Sequence, residues 1–543
     1  MRGWVYRKRT PCAEPGSAAQ AVAGSAEPGS AAQAVAGCVV PGSGVEAVVA
    51  VAVAGSAEPG SAAQAVAGNA EPGSAAQAVA GCVVPGSTAQ ADNRMDRPMV
   101  DPAVFCSEKG GSWLFLNPDL PDWIVVNPNS AVVLSRCDSS RTIQQLADDL
   151  GLPLGEVGAL VAEARRRGVI TALMNPPEAP SCDGGFCRSV PHRPMLRSVH
   201  LKLTNNCNLR CRYCYAESGA SREHLGIDEL QRVVHEAIDL AGSNPLEFTL
   251  SGGEPLLHPN ALEVAECIKE NGSSVYLLTN GLLIDDANVS RIAACCDMVK
   301  VSLDGASEAT HALTRGKRSF DAVVHVIERL AALGANVKVA MTVHRRNLSD
   351  VEPMAKRWGS MLTFQPLFGA GRGADKQEWA LTGREYYEAL ASADGVSPMA
   401  GIGMTLQRLR RRGVKRCAMA DAEISIAENG DVYPCQLLTS SEFRAGNIKH
   451  GNLADIFFKS EVLNRSRAIS VDTLPKCRTC PIRLLCAGAC RARDFYEIGD
   501  AAEVGEFCEY EQSAFVDGLF ESARMALVGA AGASDPMLAL ACP

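Results

Sequence analysis

The chain has 543 residues, of which 47% are hydrophobic, and its formal net charge at pH 7 is −9. This length predicts three or four domains, and the apolar content is enough for more than one core. The negative charge argues against a nucleic-acid-binding surface as the main function. The longest apolar run, residues 47–54, is far too short to span a bilayer.

Cysteine usage and the N-terminus indicate the cellular compartment. The 21 cysteines cluster in short-spaced groups, which in a long chain favours metal or cluster ligation over disulfides. The N-terminus, MRGWVYRKRT, is basic, but no clear apolar segment of a signal peptide follows it. We therefore expect a soluble cytoplasmic protein with no membrane partner, a setting that also suits oxygen-sensitive clusters.

Residues 1–98 are of low complexity. The unit AEPGSAAQAVAG occurs four times, beginning at Ala13, Ala26, Ala57 and Ala70. Its apolar residues are only Ala and Val, and Pro-Gly interrupts it, so it cannot bury enough surface to offset the entropy lost on ordering. We predict disorder here. Alternatively, the segment is upstream sequence and translation begins at Met95 or Met99.

Residues 104–175 are predicted to form a small module of short strands followed by helices. The runs 113–117 and 123–127 are aromatic and β-branched and are joined by Pro-Asp turns, which predicts strands. Helices are predicted over residues 143–150, with Ser140 as N-cap, and over residues 153–168, with a further helix beginning at residues 130–134. Residues 176–194 are rich in Pro, Gly and Ser and are predicted to be a linker.

The order of these elements, with the run FLNPDLPDWIVVNPNSAVVLSRCD, resembles the PqqD-like recognition element found with enzymes that modify ribosomally synthesised peptides. The resemblance implies a winged-helix-like domain that binds a precursor's leader peptide as an added strand at the sheet edge. The alternative is a winged helix that binds DNA. Its only basic feature is the run Arg165 to Arg167, and so short a run is usually a solvated helix face. We favour a peptide partner and expect no nucleic acid.

From residue 198 onward, apolar strands alternate with amphipathic helices, which predicts parallel βαβ units. Strands are predicted at residues 198–203, 246–250, 274–279, 298–303, 336–343 and 361–365, and helices at residues 228–240, 260–270, 285–294, 320–333 and 348–358. Six units are too few for a closed eight-stranded barrel, so residues 195–370 are expected to form a partial (β/α)6 barrel. In such α/β barrels the functional residues lie at the C-terminal ends of the strands.

The loop after the first barrel strand, LTNNCNLRCRYCYA, holds Cys207, Cys211 and Cys214 at C-x3-C-x2-C spacing. Three thiolates this close can hold an iron–sulfur cluster, and they leave one iron of a cubane open. With Tyr213 before the last cysteine, the spacing resembles the signature of radical S-adenosylmethionine (SAM) enzymes. The resemblance implies that the open iron binds the amino and carboxylate groups of SAM, which is then cleaved to a 5′-deoxyadenosyl radical. A zinc site is the alternative, but structural zinc usually takes four ligands.

The resemblance extends to the ends of later strands. The second strand is followed by residues that resemble the family's GGEP motif, which contacts the amino group of SAM. Glycines permit close approach of a ligand to the backbone, and a glutamate can orient an ammonium. The fourth strand ends in a segment similar to the region that contacts the ribose and carboxylate of SAM. The candidate SAM contacts are therefore Tyr213, Gly252, Gly253, Glu254, Pro255, Ser302 and Asp304.

A helical connecting segment at residues 371–412 leads to a second cysteine array at residues 413–515, and residues 516–543 form a tail. The array's seven thiols exceed what one zinc site needs and divide into two cluster sites. Their spacing resembles the SPASM domain of peptide-modifying radical SAM enzymes. The resemblance implies one auxiliary [4Fe–4S] cluster on Cys477, Cys480, Cys486 and Cys508, and a second on Cys417, Cys435 and Cys490. Between them, residues 423–426 and 431–433 are predicted to form a hairpin that turns at Asn429-Gly430.

Two departures from the SPASM pattern bear on the reaction. The second auxiliary site has three cysteines, which leaves an iron able to bind a substrate thiolate. Gln436 stands where sulfatase-maturing members carry an aspartate base, and an amide cannot take up a proton in that way. This argues against sulfatase maturation, and no general base is identified.

Together the resemblances imply a radical SAM enzyme that modifies a ribosomally made precursor peptide. It would use three [4Fe–4S] clusters, SAM and an external electron donor such as flavodoxin or ferredoxin. The open auxiliary iron slightly favours a thioether or another crosslink as the product. The alternatives are a SPASM dehydrogenase or maturase acting on a folded protein or a small molecule and, more remotely, a regulator whose winged module binds DNA while its clusters sense redox state.

Overall fold

The computed structural model describes residues 96–531, apart from residues 172–192, 220–222, 317, 395 and 398–413. The chain divides into two compact units, one comprising Met1–Cys187 with Leu519–Pro543 and the other comprising Arg188–Gly518. The repeats predicted to be disordered, most of the predicted linker and part of the predicted connecting segment lie outside the described residues. Within the described part of the chain, no helix is long and apolar enough to cross a membrane.

The first unit contains a small α+β module. Its strands are β1 (Met99–Val100), β2 (Phe105–Lys109), β3 (Ser112–Asn117), β4 (Asp122–Val126) and β5 (Ile170–Thr171). Its helices are α1 (Pro128–Ser135), α2 (Ile143–Leu150) and α3 (Leu154–Arg166). Strands β2, β3 and β4 form an antiparallel meander, and β1 pairs with β5. The core of the module contains Phe115, Ile124, Leu134 and Leu146, each at most 1% exposed.

Two details of this module differ from the sequence prediction. Helix α2 is capped by Thr142 and not by Ser140, because Thr142 accepts a hydrogen bond from the Gln145 N–H while the Gln145 side chain accepts one from the Thr142 N–H. This reciprocal pair satisfies two backbone donors at once. Strand β2 was not predicted, since its sequence FCSEK lacks the apolar pattern of a strand. Backbone pairing with β3 holds it in place.

The second unit is built on a parallel sheet in the order β11-β10-β9-β8-β7-β6. The strands are β6 (Ser198–Thr204), β7 (Glu247–Gly252), β8 (Ser274–Thr279), β9 (Met298–Ser302), β10 (Val337–Val343) and β11 (Leu362–Pro366). The helices between them are α4 (Ile227–Ala241), α5 (Ala261–Glu270), α6 (Val289–Cys295), α7 (Glu308–Thr314), α8 (Phe320–Ala332) and α9 (Val351–Trp358). The predicted partial barrel of six parallel strands is confirmed.

The barrel sheet continues into the C-terminal part of the unit. Strand β12 (Glu423–Ile426) runs parallel to β6, with Ser425 opposite His200. Strand β13 (Asp431–Tyr433) pairs antiparallel with β12, and β14 (Gly446–Asn447) pairs antiparallel with β13. The predicted hairpin is therefore present, and Gly430 takes the positive φ of +90° that its turn requires. The pairing of β12 with β6 was not predicted.

Further helices occur in the described remainder of the second unit. They are α10 (Gly383–Ser392), α11 (Leu453–Lys459), α12 (Glu461–Ala468), α13 (Arg483–Cys486), α14 (Arg491–Ile498) and α15 (Phe507–Ala531), the last of which continues past Gly518. The barrel core extends to Ile424, Val432 and Phe457 of this region. Shared burial of apolar side chains thus joins the hairpin to the barrel.

Candidate active site and cluster-binding loops

The loop that follows β6 carries Cys207, Cys211 and Cys214. The Leu209 N–H donates to the Cys207 Sγ at 3.4 Å, and the Asn280 Nδ2, at the end of β8, lies 4.0 Å from the same sulfur. Burial raises the pKa of the Cys207 thiol above its usual range, and it raises the pKa of Cys211 to about 11. The loop therefore presents one sulfur to amide donors and keeps its thiols partly shielded from water.

The far side of this loop is held by Arg372, which sequence analysis did not single out. Its Nε donates to the Cys211 carbonyl oxygen at 2.8 Å, and its Nη1 donates to the Ser218 carbonyl oxygen at 2.8 Å. The preceding Gly371 has φ +52°, and a Cβ there would lie 2.4 Å from the Tyr215 carbonyl oxygen. One guanidinium thus fixes two points of the cysteine loop, and the loop packs too closely for a side chain at Gly371.

Gly252 and Gly253 bring the end of β7 against the same cysteine loop. The Gly253 N–H donates to the Thr204 carbonyl oxygen at 2.7 Å, and the Glu254 N–H donates to the Asn206 carbonyl oxygen at 2.8 Å. A Cβ on Gly252 would lie 2.1 Å from the Thr204 oxygen, and one on Gly253 would lie 2.2 Å from the Asn206 oxygen. The lack of side chains at Gly252 and Gly253 therefore allows the backbone of the cysteine loop to pack directly against them.

The carboxylate of Glu254 is fully buried and lies against the end of β8. It accepts hydrogen bonds from the Thr279 hydroxyl at 2.8 Å and from the Asn280 N–H at 2.8 Å. Burial raises the pKa of Glu254 to about 7, although these hydrogen bonds favour the charged form. Thr279 and Asn280 thus position the glutamate, and Pro255 begins a 3-10 turn directly after it.

Asp304, just after β9, is the centre of a buried polar cluster. Its carboxylate accepts hydrogen bonds from the Arg315 Nε at 2.6 Å, the Thr314 hydroxyl at 3.0 Å, the Thr342 N–H at 3.0 Å and the Tyr213 hydroxyl. Burial by itself would raise the pKa of Asp304, but the ion pair with Arg315 and these donors hold it below its usual range. Asp304 is 0% exposed, so its oxygens serve the protein's own donors.

The cluster around Asp304 links Tyr213 of the cysteine loop to the barrel. The Tyr213 hydroxyl also accepts from the Arg315 Nη2 at 2.7 Å, which ties the cysteine loop to the segment after α7. Ser302, the last residue of β9, is partly exposed and lies opposite Ala340 of β10. Tyr213 and Asp304 therefore act on each other, whereas Ser302 lies at the open end of the strand.

The seven cysteines of the second array fall into two groups. Cys417, Cys435 and Cys490 pack against one apolar cluster, which includes Tyr433 and Leu438. Cys477 and Cys508 pack against a different apolar cluster, and Cys480 lies close enough to influence the pKa of Cys508. Cys486 is buried at the end of α13. The assignment of these cysteines to two clusters stays a prediction.

Buried arginines surround the second array and were not singled out from the sequence. Arg493 donates to Glu511 at 2.7 Å, and its guanidinium lies 4.5 Å from the centroid of the Phe507 ring. Arg491, 1% exposed, pairs with Asp494. The contacts of Arg493 join α14, which begins directly after Cys490, to α15, which carries Cys508, whereas the Arg491–Asp494 pair lies within α14.

Comparison with known families assigns the two regions. Residues 201–357 match the family model of the radical SAM superfamily, and residues 417–481 match SPASM, an iron–sulfur cluster-binding domain. The barrel is a radical SAM core, and the domain after it is a SPASM domain. The cofactors of these domains are [4Fe–4S] clusters and SAM, which together supply radical chemistry when bound.

Several known proteins are similar to this chain. Mycofactocin maturase MftC of Mycobacterium ulcerans (strain Agy99) is 29% identical over 322 residues, which cover 54% of this chain and 83% of that protein. The antilisterial bacteriocin subtilosin biosynthesis protein AlbA of Bacillus subtilis (strain 168) is 28% identical over 271 residues, covering 49% and 60%. The solved structure of histidine-tagged anSMEcpe with bound AdoMet aligns with a TM-score of 0.51 at 20% identity, covering 64% of this chain and 98% of that one. This last likeness supports the fold.

The residues of the radical SAM core and the SPASM domain suit iron–sulfur ligation. None of the ten candidate cysteines is in a disulfide. Burial raises the pKa of Cys480 and Cys490 to about 11, so they are not activated nucleophiles, whereas bound iron would favour their thiolate forms. In the part of the chain that the structure describes, no three His, Cys, Asp or Glu side chains converge on a place for a single metal ion. In a cubane, by contrast, each thiolate binds a different iron.

Proposed function

We propose that this chain is a radical SAM enzyme that modifies a ribosomally synthesised precursor peptide. The observation that carries the proposal is the cysteine loop after β6, whose backbone is hydrogen-bonded to the Gly-Gly-Glu-Pro loop. Three cysteines leave one iron of the cluster for SAM, and the adjoining glutamate supplies a buried carboxylate for the SAM ammonium. The relatives named as maturase and bacteriocin biosynthesis proteins support a peptide as the substrate.

In this proposal the residues of the barrel have distinct roles. Cys207, Cys211 and Cys214 ligate the cluster that binds SAM, and Glu254 with the backbone at Gly253 contacts the amino group of SAM. Tyr213 and Asp304 position the cysteine loop through Arg315. Ser302, which ends β9, remains a candidate contact for the ribose or carboxylate of SAM.

The SPASM domain is proposed to hold two auxiliary [4Fe–4S] clusters. Cys477, Cys480, Cys486 and Cys508 complete one of them. Cys417, Cys435 and Cys490 hold the other and leave one iron available to a substrate thiolate, which favours a thioether or another crosslink as the product. The second group adjoins the barrel through β12 and β13, so it is the one we assign to contact with the substrate.

The N-terminal module is proposed to be the PqqD-like element that binds the leader peptide. In the meander β2-β3-β4, the strands β2 and β4 are the edges, and an extended peptide can add to such an edge. The arginine run at the end of α3 does not support the alternative of DNA binding, because all three arginines form ion pairs. Arg165 pairs with Asp96, Arg166 with Glu163, and Arg167 with both Asp122 and Glu163.

The proposal is tested by reconstituting the full chain with iron and sulfide without oxygen, reducing it with dithionite and supplying SAM. The peptide encoded by the short open reading frame nearest the gene is the substrate to try. We expect 5′-deoxyadenosine from SAM and a changed peptide mass, both lost in a Cys207→Ala variant. Failure to form 5′-deoxyadenosine from a fully reconstituted protein would overturn the enzyme assignment, and its formation without peptide modification would overturn the substrate assignment.

Leader binding is tested separately by hydrogen exchange of the full chain with and without the leader peptide. We expect added protection of the backbone amides of β2 or β4, because a strand added at an edge forms backbone hydrogen bonds there. The amides of α2 are the internal control. Binding that leaves both edge strands unprotected would contradict the assignment of this module.

A further inference from the structure

Lys202 is a buried cation inside the radical SAM core that the proposed function does not use. It lies in β6, opposite Ser251 of β7, five residues before Cys207. Its side chain is 7% exposed, whereas lysine is almost never this buried without a partner. Removing an ammonium from water costs several kcal/mol in typical proteins, so something must offset that cost at this position.

Lys202 lies near residues that belong to both cysteine sites. Its Nζ lies 5.5 Å from the centroid of the Tyr215 ring, next to Cys214 in the chain. Burial lowers the pKa of Lys202, whereas Glu428, Cys214 of the cysteine loop and Cys435 of the SPASM domain act to raise it. Burial and the same two cysteines raise the pKa of Tyr215. Among the described residues no hydrogen bond or ion pair joins the ammonium to a single carboxylate, so its partners are these more distant groups.

Strand pairing explains how one side chain comes to be near both sites. Strand β6 leads directly into the cysteine loop, and its other neighbour is β12 of the SPASM hairpin. Ile426 lies opposite Leu201, and Glu428 follows two residues later. Cys435 follows β13, the partner of β12. The first barrel strand is thus the element shared by the two cysteine sites, and Lys202 is its buried cation.

We propose that Lys202 is an electrostatic positioning residue that stabilises the reduced forms of the clusters at Cys207–Cys211–Cys214 and at Cys417–Cys435–Cys490. This inference rests on the cluster assignments of the proposed function. Three thiolates outweigh the positive charge of an oxidised cubane core, and each added electron increases the negative charge. Net charge is one of the factors that set cluster reduction potentials. A buried ammonium between two such sites makes both easier to reduce, and the clusters in turn offset the cost of burying it.

The test compares Lys202→Met with Lys202→Arg in the reconstituted full chain. Midpoint potentials are measured by redox titration monitored by electron paramagnetic resonance. In Lys202→Met we expect the equilibrium constant for reduction of at least one of the two clusters to fall about tenfold. For a one-electron couple this makes the midpoint potential roughly 59 mV more negative. Lys202→Arg keeps the charge and should keep the wild-type potentials.

Lys300→Met is the matched control, because Lys300 is a barrel lysine on β9 whose charged neighbour is Lys338 and not a cysteine. Its potentials should equal those of the wild type. Lys202→Gln is a second neutral variant. Unchanged potentials in Lys202→Met and Lys202→Gln would overturn the proposal. Loss of iron from both variants would also overturn it, because the lysine would then be required for cluster assembly.

Two further outcomes distinguish failure of this inference from failure of the proposed function. A weaker affinity for peptide at unchanged potentials would reassign Lys202 to binding a substrate carboxylate and would also overturn the proposal. If the wild-type chain binds clusters but does not cleave SAM, the proposed function fails. The potentials still report on Lys202 in that case.

Discussion

Substitution of Asp304 by Asn is the most direct test of the buried cluster that holds the cysteine loop. The change keeps the shape of the side chain but removes its charge and replaces one acceptor oxygen with a donor. Oδ2 accepts from the Arg315 Nε, the Tyr213 hydroxyl and the Thr314 hydroxyl, whereas Oδ1 accepts from the Thr342 N–H. Whichever way the amide is oriented, its nitrogen faces a donor.

The expected cost follows from burial. Asp304 is 0% exposed, and the Arg315 side chain is 11% exposed. Removing one partner of a buried ion pair leaves the other charge uncompensated, which typically costs about 3–5 kcal/mol. In an Arg315→Met background the same substitution should cost less, because no guanidinium remains to be compensated. The coupling free energy between the two positions should be about 0.5–3 kcal/mol, the range for residues in direct contact.

Urea unfolding of the four proteins without oxygen, followed by circular dichroism, gives the free energies of unfolding. Iron content and SAM cleavage are measured on the same samples, and we expect Asp304→Asn to lower both, because Tyr213 loses its acceptor. Asp286→Asn is the control, since it breaks an ion pair with Arg329 in which the aspartate is 97% exposed. Equal unfolding midpoints for Asp304→Asn and the wild type would refute the reasoning.

Three further results are expected around the cysteine loop. Gly253→Ala should abolish 5′-deoxyadenosine formation, because its Cβ would lie 2.2 Å from the Asn206 oxygen. Gly451→Ala, whose Cβ meets nothing within 4 Å, should not, and full activity in Gly253→Ala would refute the close packing. Arg372→Met should lose iron from the cysteine loop as measured by metal analysis, because two carbonyl contacts disappear, and unchanged iron would contradict that role. SAM affinity, measured calorimetrically, should rise as pH increases through about 7, because Glu254 binds the ammonium as a carboxylate and its folded pKa is raised to about 7. Glu254→Gln should flatten this pH dependence, and a flat profile for the wild type would contradict the assignment.

The barrel was predictable because its signals are local. Each strand is a short apolar run, each helix has its own spacing of apolar residues, and alternation of the two dictates parallel pairing. The cysteine loop and the Gly-Gly-Glu-Pro segment were predictable for a similar reason. Residues that are close in sequence within one loop stay close in space, however the other elements are arranged. The division of the second cysteine array was implied by the resemblance to SPASM domains, and it stays a prediction.

The groups that position the site could not be predicted, because their partners are distant in sequence. Arg372 lies 161 residues from Cys211 along the chain, and Arg315 lies 102 residues from Tyr213. An arginine in a loop carries no sign of which carbonyl oxygen or carboxylate it meets. Asp304 also has partners that are distant in sequence, because the Tyr213 hydroxyl and the Thr342 N–H both donate to its carboxylate.

The pairing of β12 with β6 explains why one short strand matters to both halves of the site. An open sheet leaves the outer edge of its last strand without backbone partners, and β12 supplies them for residues 198–201 of β6. Because β6 leads into the cysteine loop, a slip in this pairing would shift the SPASM hairpin relative to that loop. A one-residue slip would also turn the alternating side chains of β12 to the other face of the sheet, while β6 stays paired with β7. The register of a single strand pair therefore fixes the cysteine loop, the adjoining hairpin and the buried charge relative to one another.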